Sequence, residues 1–373
     1  MPHKYRAVGA TLAVIILLAA CTRGQQRSSP SDEVCSGAMC TSLEQFAQTI
    51  GMQLDDQAVG YVAIVGSHTL ERGQARTLAN PPRRTMTANV PISIASIGKM
   101  FTTIAAIKLL EQHRLSVDTR IAPYLPYDWI QGPGVASITF RELLTHRAGF
   151  RHDSNDVFSD TDAARRQIED GVRAASKDTA QYNNLNFAIF RELLPALAGV
   201  TDPGPDQRSA IYGEAFKKIV ARQVFDPLGI TDATCDGPPV SPPAAIYPSV
   251  VEYFTGSLVG TETPPGPVAC AAGGWIMSPQ SLQLFVADLA TGGKLLSVNQ
   301  KQLMNDNCLG WDCSIFLQPD YRGKSGAFNL RNAELATFVG IFAKVIPVVV
   351  VINSHPPRPP SEIAYGSFVT ATH

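Results

Sequence analysis

The stretch Pro91-Ile92-Ser93-Ile94-Ala95-Ser96-Ile97-Gly98-Lys99, running on into the apolar segment Met100 to Leu110, constrains the fold more than any other part of the chain. It reads as an extended segment that turns into a helix, with Ser96 at the turn. Lys99 follows three residues later, so one helical turn sets its amine over the Ser96 hydroxyl. A serine hydroxyl is a weak nucleophile until a base takes its proton, and an amine held one turn away in apolar surroundings can be that base. Whatever fold forms must bury this helix and still leave the turn reachable.

Composition narrows the class. The 373 residues are 45% hydrophobic and 17% charged with a net charge of -1, which fits a globular protein of one large or two ordinary domains. The near-neutral balance and the absence of a lysine- or arginine-rich patch argue against nucleic acid as a partner. The seven histidines are scattered, His-Glu-x-x-His does not occur, and no Cys/His group has zinc spacing, so neither a metal nor another cofactor is expected.

Residues 1–20 read as a targeting segment. His3, Lys4 and Arg6 make a basic start, and Ala7 to Ala20 is an apolar run short for a membrane span. The run ends in Leu18-Ala19-Ala20-Cys21, which resembles a bacterial lipobox, so a lipid anchor to the membrane at Cys21 is expected. Residues 21–40 follow as a tether, with Gln25 to Asp32 polar and serine-containing. The expected location is the bacterial cell envelope, on its extracytoplasmic or periplasmic side. The oligomeric state is left open.

Cysteine usage agrees with export. Seven cysteines less Cys21 leave six, an even number suited to disulfides in an oxidising compartment. Local spacing favours Cys35 with Cys40 and Cys308 with Cys313, which leaves Cys235 and Cys270, but six cysteines allow fifteen pairings and spacing alone leaves the connectivity open.

Along the chain, Ser42 to Ile50 reads as a helix and Val59 to Gly66 as a strand, with a weaker strand around Gln74 to Leu78. Thr139 caps a short helix from Ile138 to Leu144. Residues 160–177, Phe187 to Leu197 and Ala215 to Val224 have helical patterns, and residues 236–267 are rich in proline and glycine and read as loop. A helix spans Ser278 to Ala290. Tyr321 to Ala327, Ala333 to Phe342 and Val345 to Asn353 read as an antiparallel meander, and a helix follows Pro360. Strands at both ends with helices between predict an α/β (α+β) arrangement. Residues 41–115 and 268–373 would build one discontinuous domain, and 116–267 a helical insert.

Two further motifs complete a set. Tyr182-Asn183-Asn184 is the only Tyr-x-Asn in the chain and Lys324-Ser325-Gly326 the only Lys-Ser/Thr-Gly, while Ser96 is the only serine with lysine three positions on. On these residues the chain resembles the serine β-lactamase and penicillin-binding-protein superfamily, in which Ser-x-x-Lys carries the nucleophile. It looks most like the branch holding class C β-lactamases, D-alanyl-D-alanine peptidases and related esterases. The resemblance runs over roughly residues 45–372 and takes in Leu143-Leu144-Thr145-His146, the glycine pair before Trp275, and Leu309-Gly310-Trp311.

The resemblance implies a five-stranded antiparallel sheet flanked by helices, an all-helical region, and a site between them. Ser96 would attack a carbonyl and form an acyl-enzyme, Lys99 would take its proton, and Tyr182 would relay it or act as base. That role requires Lys99 to spend part of its time neutral, which burial and a nearby Lys324 would favour. Asn184 would hydrogen-bond the substrate amide or Lys99. Lys324 and Ser325 would bind a substrate carboxylate, Gly326 would let the substrate approach the strand edge, and the N–H groups of Ser96 and Ala327 would form the oxyanion hole. The expected partner is a small-molecule or peptidoglycan-peptide substrate. A Ser96–His146 triad is the less favoured arrangement, because no Gly-x-Ser-x-Gly elbow exists. The middle motif is not the Ser-Asp-Asn of class A enzymes, and no Glu-x-x-Leu-Asn supplies a deacylating glutamate. Three outcomes follow: a hydrolase of β-lactams or D-Ala-D-Ala-type peptides, with a carboxylesterase of the same fold as alternative; a sensor that is acylated and stops; or a non-catalytic envelope protein.

Overall fold

The computed structural model describes residues 32–151, 160, 162–173, 179–235, 237, 239–248, 258–262, 270–313, 321–330 and 333–373. Cys21, the signal segment, and half of the 236–267 loop lie outside the described residues. The tether expected over 21–40 ends early. Glu33–Ser36 (β1) and Met39–Ser42 (β2) pair antiparallel, with Cys35 opposite Cys40 and bonded to it. Each of these strands is only four residues long, too short for alternation to show in the sequence.

Helix Leu43–Leu54 starts where Ser42 caps it by accepting from the Gln45 N–H. The strands that follow are Gly60–Val65 (β3), His68–Arg76 (β4), Arg84–Thr85 (β5) and Ile92–Ser93 (β6). After a long stretch of helices come Ile276–Met277 (β7), Tyr321–Leu330 (β8), Ala333–Phe342 (β9) and Ile346–Ile352 (β10). The main sheet is antiparallel in the order β5-β4-β3-β10-β9-β8, so the two ends of the chain meet at β3 and β10. It holds the five long strands expected plus the two-residue edge β5. The weak strand expected at Gln74 to Leu78 begins earlier, at His68: its residues pair with β3 but are largely exposed, which removed the apolar signal.

Both faces of the sheet are covered. On β10, Val349 and Val351 face the cluster that includes the Ser96 helix, while Val348, Val350 and Ile352 face Phe46, Ile50 and Ile363. That is why β3 and β10 read as unbroken apolar runs rather than as alternating ones. Helices Leu43–Leu54 and Pro360–Ala371 cover one face and Pro279–Ala290 packs on the other. Among the described residues no strand lies between Ser93 and Ile276.

Helix Gly98–Gln112 is buried nearly all round, with Phe101 edge-on to Phe225, Phe285 and Trp275. It packs on helices Phe190–Leu197 and Pro205–Val220, so the helix that follows the Ser96 turn joins the sheet to the helical region. Helix Val298–Asp306, with Ser297 and Gln300 forming a capping box, was not expected: apart from Met304 its residues are not buried, so it has no apolar stripe to read.

Candidate active site

Ser96 sits in a single helical turn, Ala95–Ile97, that leads directly into helix Gly98–Gln112. Ala95 holds φ at +47°, a left-handed backbone that L-residues avoid, and this turns the chain so that the Ser96 hydroxyl leaves the helix end. The turn is braced from three sides. Ile94 N–H donates to the Trp275 carbonyl, and the Thr337 hydroxyl on β9 lies 3.1 Å from the Ile94 carbonyl and 3.2 Å from that of Gly326.

The three motifs converge. Ser96 Oγ is 2.7 Å from Tyr182 Oη and accepts from Lys99 Nζ at 3.1 Å. Lys99 has no exposed surface and donates also to Asn184 Oδ1 at 2.8 Å and to the Ala272 carbonyl. Of the two roles expected for Asn184, it takes the contact with Lys99. Two partners of Lys99, an amide oxygen and a peptide carbonyl, can only accept. The third, the Ser96 hydroxyl, can donate or accept. A neutral amine can therefore keep its two N–H bonds and turn its lone pair to the Ser96 proton, with no heavy atom moving. Tyr182 is 44% exposed, so the hydroxyl pair lies at the surface while the amine lies beneath it.

Lys324, Ser325, Gly326 and Ala327 lie on β8, opposite Val339, Phe338, Thr337 and Ala336 of β9. Gly326 is pressed against the nucleophile turn: a Cβ there would stand 3.0 Å from the Ser96 nitrogen, 2.7 Å from the Ile94 carbonyl and 2.5 Å from Thr337 Oγ1. Lys324 is buried, with Nζ 5.5 Å from the centre of the Tyr182 ring, and Lys99 Nζ is 5.1 Å from the same centre.

Sequence reasoning missed two groups. Asp312 takes Lys324 Nζ on one carboxylate oxygen and the Ser325 N–H on the other, the latter at 2.7 Å. The Lys324 ammonium expected to stand ready for a substrate carboxylate is thus already paired within the protein. The only available hint was that Asp312 follows Leu309-Gly310-Trp311. The other group is the Ala272 carbonyl, which as a backbone atom has no sequence signature. It is held by the Cys235–Cys270 disulfide and by the bond from Trp275 Nε1 to the Cys270 carbonyl. The third disulfide, Cys308–Cys313, closes the loop that carries Asp312. Two of the pairings are those that local spacing favours, and Cys235–Cys270 is the pair left over.

His146 stands behind Tyr182, with ring centres 4.5 Å apart. Its Nδ1 accepts from the Asn183 N–H, and its own carbonyl accepts from the Gln181 N–H, so it holds both ends of the segment that presents Tyr182. Burial first, then the charges of Lys324 and Lys99, push its pKa down to about 2. His146 is therefore a neutral positioning group here, and the Ser96 hydroxyl is engaged by Tyr182 and Lys99 instead. Glu33, Cys35 and Cys40 are the grouping of metal-type donors among the described residues, and both of its thiols are tied in a disulfide.

The beta-lactamase family model matches residues 53–326, and the chain belongs to that family. The superfamily is that of serine β-lactamases and penicillin-binding proteins. Among curated proteins, the teichoic acid D-alanine hydrolase of Staphylococcus aureus is 24% identical over 149 residues, which are 36% of this chain and 36% of that protein. The match thus spans well under half the length of the curated relative. Among solved structures, the class C beta lactamase from Rhodobacter sphaeroides aligns with a TM-score of 0.64 at 19% identity, over 88% of this chain and 99% of that one. The beta-lactamase/D-alanine carboxypeptidase from Pseudomonas syringae aligns with a TM-score of 0.65 at 16% identity, over 88% and 98%. These structures share the fold.

Two predictions follow from the packing. Gly326→Ala sets a methyl group against the Ser96 nitrogen and two neighbouring oxygens. It should lower stability by about 1–3 kcal/mol and slow labelling of Ser96 by a serine-directed fluorophosphonate about tenfold or more, since an oxyanion donor is displaced. Melting curves and labelling rates check this; a fully reactive Gly326→Ala protein would show that β8 does not bound the reaction site.

His146 is neutral when folded and takes a proton near 6.5 when unfolded. The unfolded chain therefore binds more protons below that pH, and stability should fall as pH drops from about 6.5 toward 2, by at most about 1.4 kcal/mol per pH unit. His146→Asn suits the left-handed backbone at this position, where φ is +56°. Between pH 7 and 5 the parent should lose about 2 kcal/mol more than this variant in urea titrations. Equal losses would mean that His146 is not held neutral.

Proposed function

We propose that this chain is a serine hydrolase that forms an acyl-enzyme through Ser96. The observation that carries the reading is the Ser96 hydroxyl held between Tyr182 Oη at 2.7 Å and the buried Lys99 Nζ at 3.1 Å. Ser96 attacks the carbonyl carbon of the acyl donor as its proton passes to Lys99, directly or through Tyr182. The oxyanion is met by the N–H groups of Ser96 and Ala327. Collapse breaks the bond to the leaving group, which takes a proton from Tyr182 as Lys99 returns its own to the Tyr182 oxygen. Water then repeats the sequence on the ester, with Tyr182 as base, since the sequence offers no deacylating glutamate. Two classes of acyl donor suit this nucleophile: β-lactams and D-alanyl-D-alanine-type peptides, which carry a carboxylate near the scissile bond, and carboxylic esters, which need none. The hydrolase named among the curated relatives supports a D-alanyl acyl group in either class.

Intact-mass measurement after incubation with a penicillin and, separately, with an activated ester should show one acyl adduct that Ser96→Ala abolishes. Lys99→Ala should slow its formation by a factor of about 100 or more, as befits loss of a general base. An adduct that survives in Ser96→Ala would refute the assignment, and its rate of loss in the parent separates a hydrolase from a sensor.

The same reading places the chain in the bacterial cell envelope, anchored by lipid on Cys21. Among the described residues no helix is long and apolar enough to cross a membrane. Detergent-phase partitioning should depend on Cys21; a Cys21→Ser protein that partitions like the parent would remove the anchor.

A further inference from the structure

We propose that Asp312 is a specificity-determining residue that turns the Lys324–Ser325 end of the site away from carboxylate-bearing acyl donors and toward carboxylic esters. The inference rests on Ser96 being the nucleophile, and adds to it the substrate class.

Lys324 is the charge on β8 nearest the reacting groups, with Nζ 5.5 Å from the Tyr182 ring centre, and it is 2% exposed. Its partner is fixed in place. Asp312 spends one carboxylate oxygen on the Lys324 ammonium and the other on the Ser325 N–H, and its own N–H donates to the Gly323 carbonyl at 2.9 Å. Asp312 therefore grips three consecutive residues of the strand edge, Lys324 and Ser325 through its carboxylate and Gly323 through its backbone N–H. The loop behind it is equally constrained. The Cys308–Cys313 disulfide closes it, Gly310 N–H donates to the Leu144 carbonyl at 3.0 Å, and Trp311 Nε1 donates to Asn305 Oδ1 at 3.1 Å. Gly310 leaves no room to shift, since a Cβ there would come within 2.4 Å of the Thr103 hydroxyl. Asp312 is thus not a surface carboxylate free to swing aside when an anion arrives.

The electrostatic consequence follows from the pairing. An anion that approaches Lys324 also comes within reach of the Asp312 charge, so the attraction of the one is offset in part by the repulsion of the other. Removing the lysine from water has also been compensated by this one carboxylate, and a second would share the ammonium with it. An uncharged acyl donor meets neither term. Its carbonyl needs only Ser96, Lys99 and the N–H donors, which Asp312 does not touch. The Ser325 hydroxyl, on the same strand, remains able to orient a neutral group.

The test uses one chromogenic cephalosporin as its free acid and as its methyl ester, so that the reactive ring is the same and only the carboxylate differs. The rate of acyl-adduct formation on Ser96 is measured for each, normalised to hydroxide-catalysed opening of the same compound. The parent should react with the methyl ester at least as fast as with the acid. Asp312→Asn, which removes the competing charge, should raise the acid-to-ester ratio by about 10- to 100-fold, the range of one charge-assisted hydrogen bond. Asp312→Glu should keep the parent's ratio. A parent that prefers the acid tenfold or more overturns the proposal whether or not the asparagine variant folds, and so does an unchanged ratio in a folded Asp312→Asn. A parent that forms no Ser96 adduct with either compound overturns the hydrolase reading itself, and the inference with it.

Discussion

A lysine with no exposed surface must find a partner for each polar bond it forgoes with water, because an unpaired buried amine is costly. Lys99 finds them on three separate stretches of chain: the Ser96 hydroxyl one turn back, Asn184 in the helical region, and the Ala272 carbonyl on the run that leads to β7. These three stretches can meet only if the helical region docks against the sheet and the 270–275 turn closes over the start of helix Gly98–Gln112. The same requirement that keeps the amine buried therefore assembles the site. Tyr182 comes with Asn184, two residues away, and its hydroxyl completes the contact with Ser96.

The remainder of the fold holds these pieces in register. The sheet is buried on both faces, so slipping β8 by one residue against β9 would exchange its two sets of side chains and carry Lys324 to the wrong face. The register that sets Gly326 opposite Thr337 also brings the Thr337 hydroxyl between the Gly326 and Ile94 carbonyls, which joins the strand edge to the nucleophile turn. Two disulfides serve the same end from outside the sheet. Cys235–Cys270 anchors the turn that supplies Ala272, and Cys308–Cys313 the loop that supplies Asp312.

Much of this was legible in the sequence because its signals are local. Ser96 and Lys99 are related by one helical turn, Tyr182 and Asn184 by two residues, and the meander by runs of β-branched residues between short turns. Two of the disulfides join cysteines five residues apart, a local spacing, whereas Cys235–Cys270 spans 35 residues. What escaped was set by tertiary contact. Asp312 is a single aspartate in a loop, and its role depends on where β8 docks. The Ala272 carbonyl and the left-handed Ala95 are backbone facts that no side chain announces. The β1–β2 hairpin is too short to show a period, and β4 is too exposed. In each case the residue type was compatible with the observed state but did not require it.

The charges around the nucleophile fit together once Asp312 is included. Two buried lysines lie within about a ring's width of Tyr182, and a histidine behind that ring stays neutral partly because of them. Asp312 sets an anion directly against the buried Lys324 amine, and a lysine buried beside no anion is costly to keep charged. Lys99, by contrast, is bound by a hydroxyl, an amide oxygen and a peptide carbonyl. Those groups tolerate either protonation state, whereas a carboxylate would have fixed the proton in place. One lysine is thus tied to an anion, while the other is held by neutral dipoles beside the Ser96 hydroxyl. The division of labour between two identical side chains comes from the partners the fold gives them.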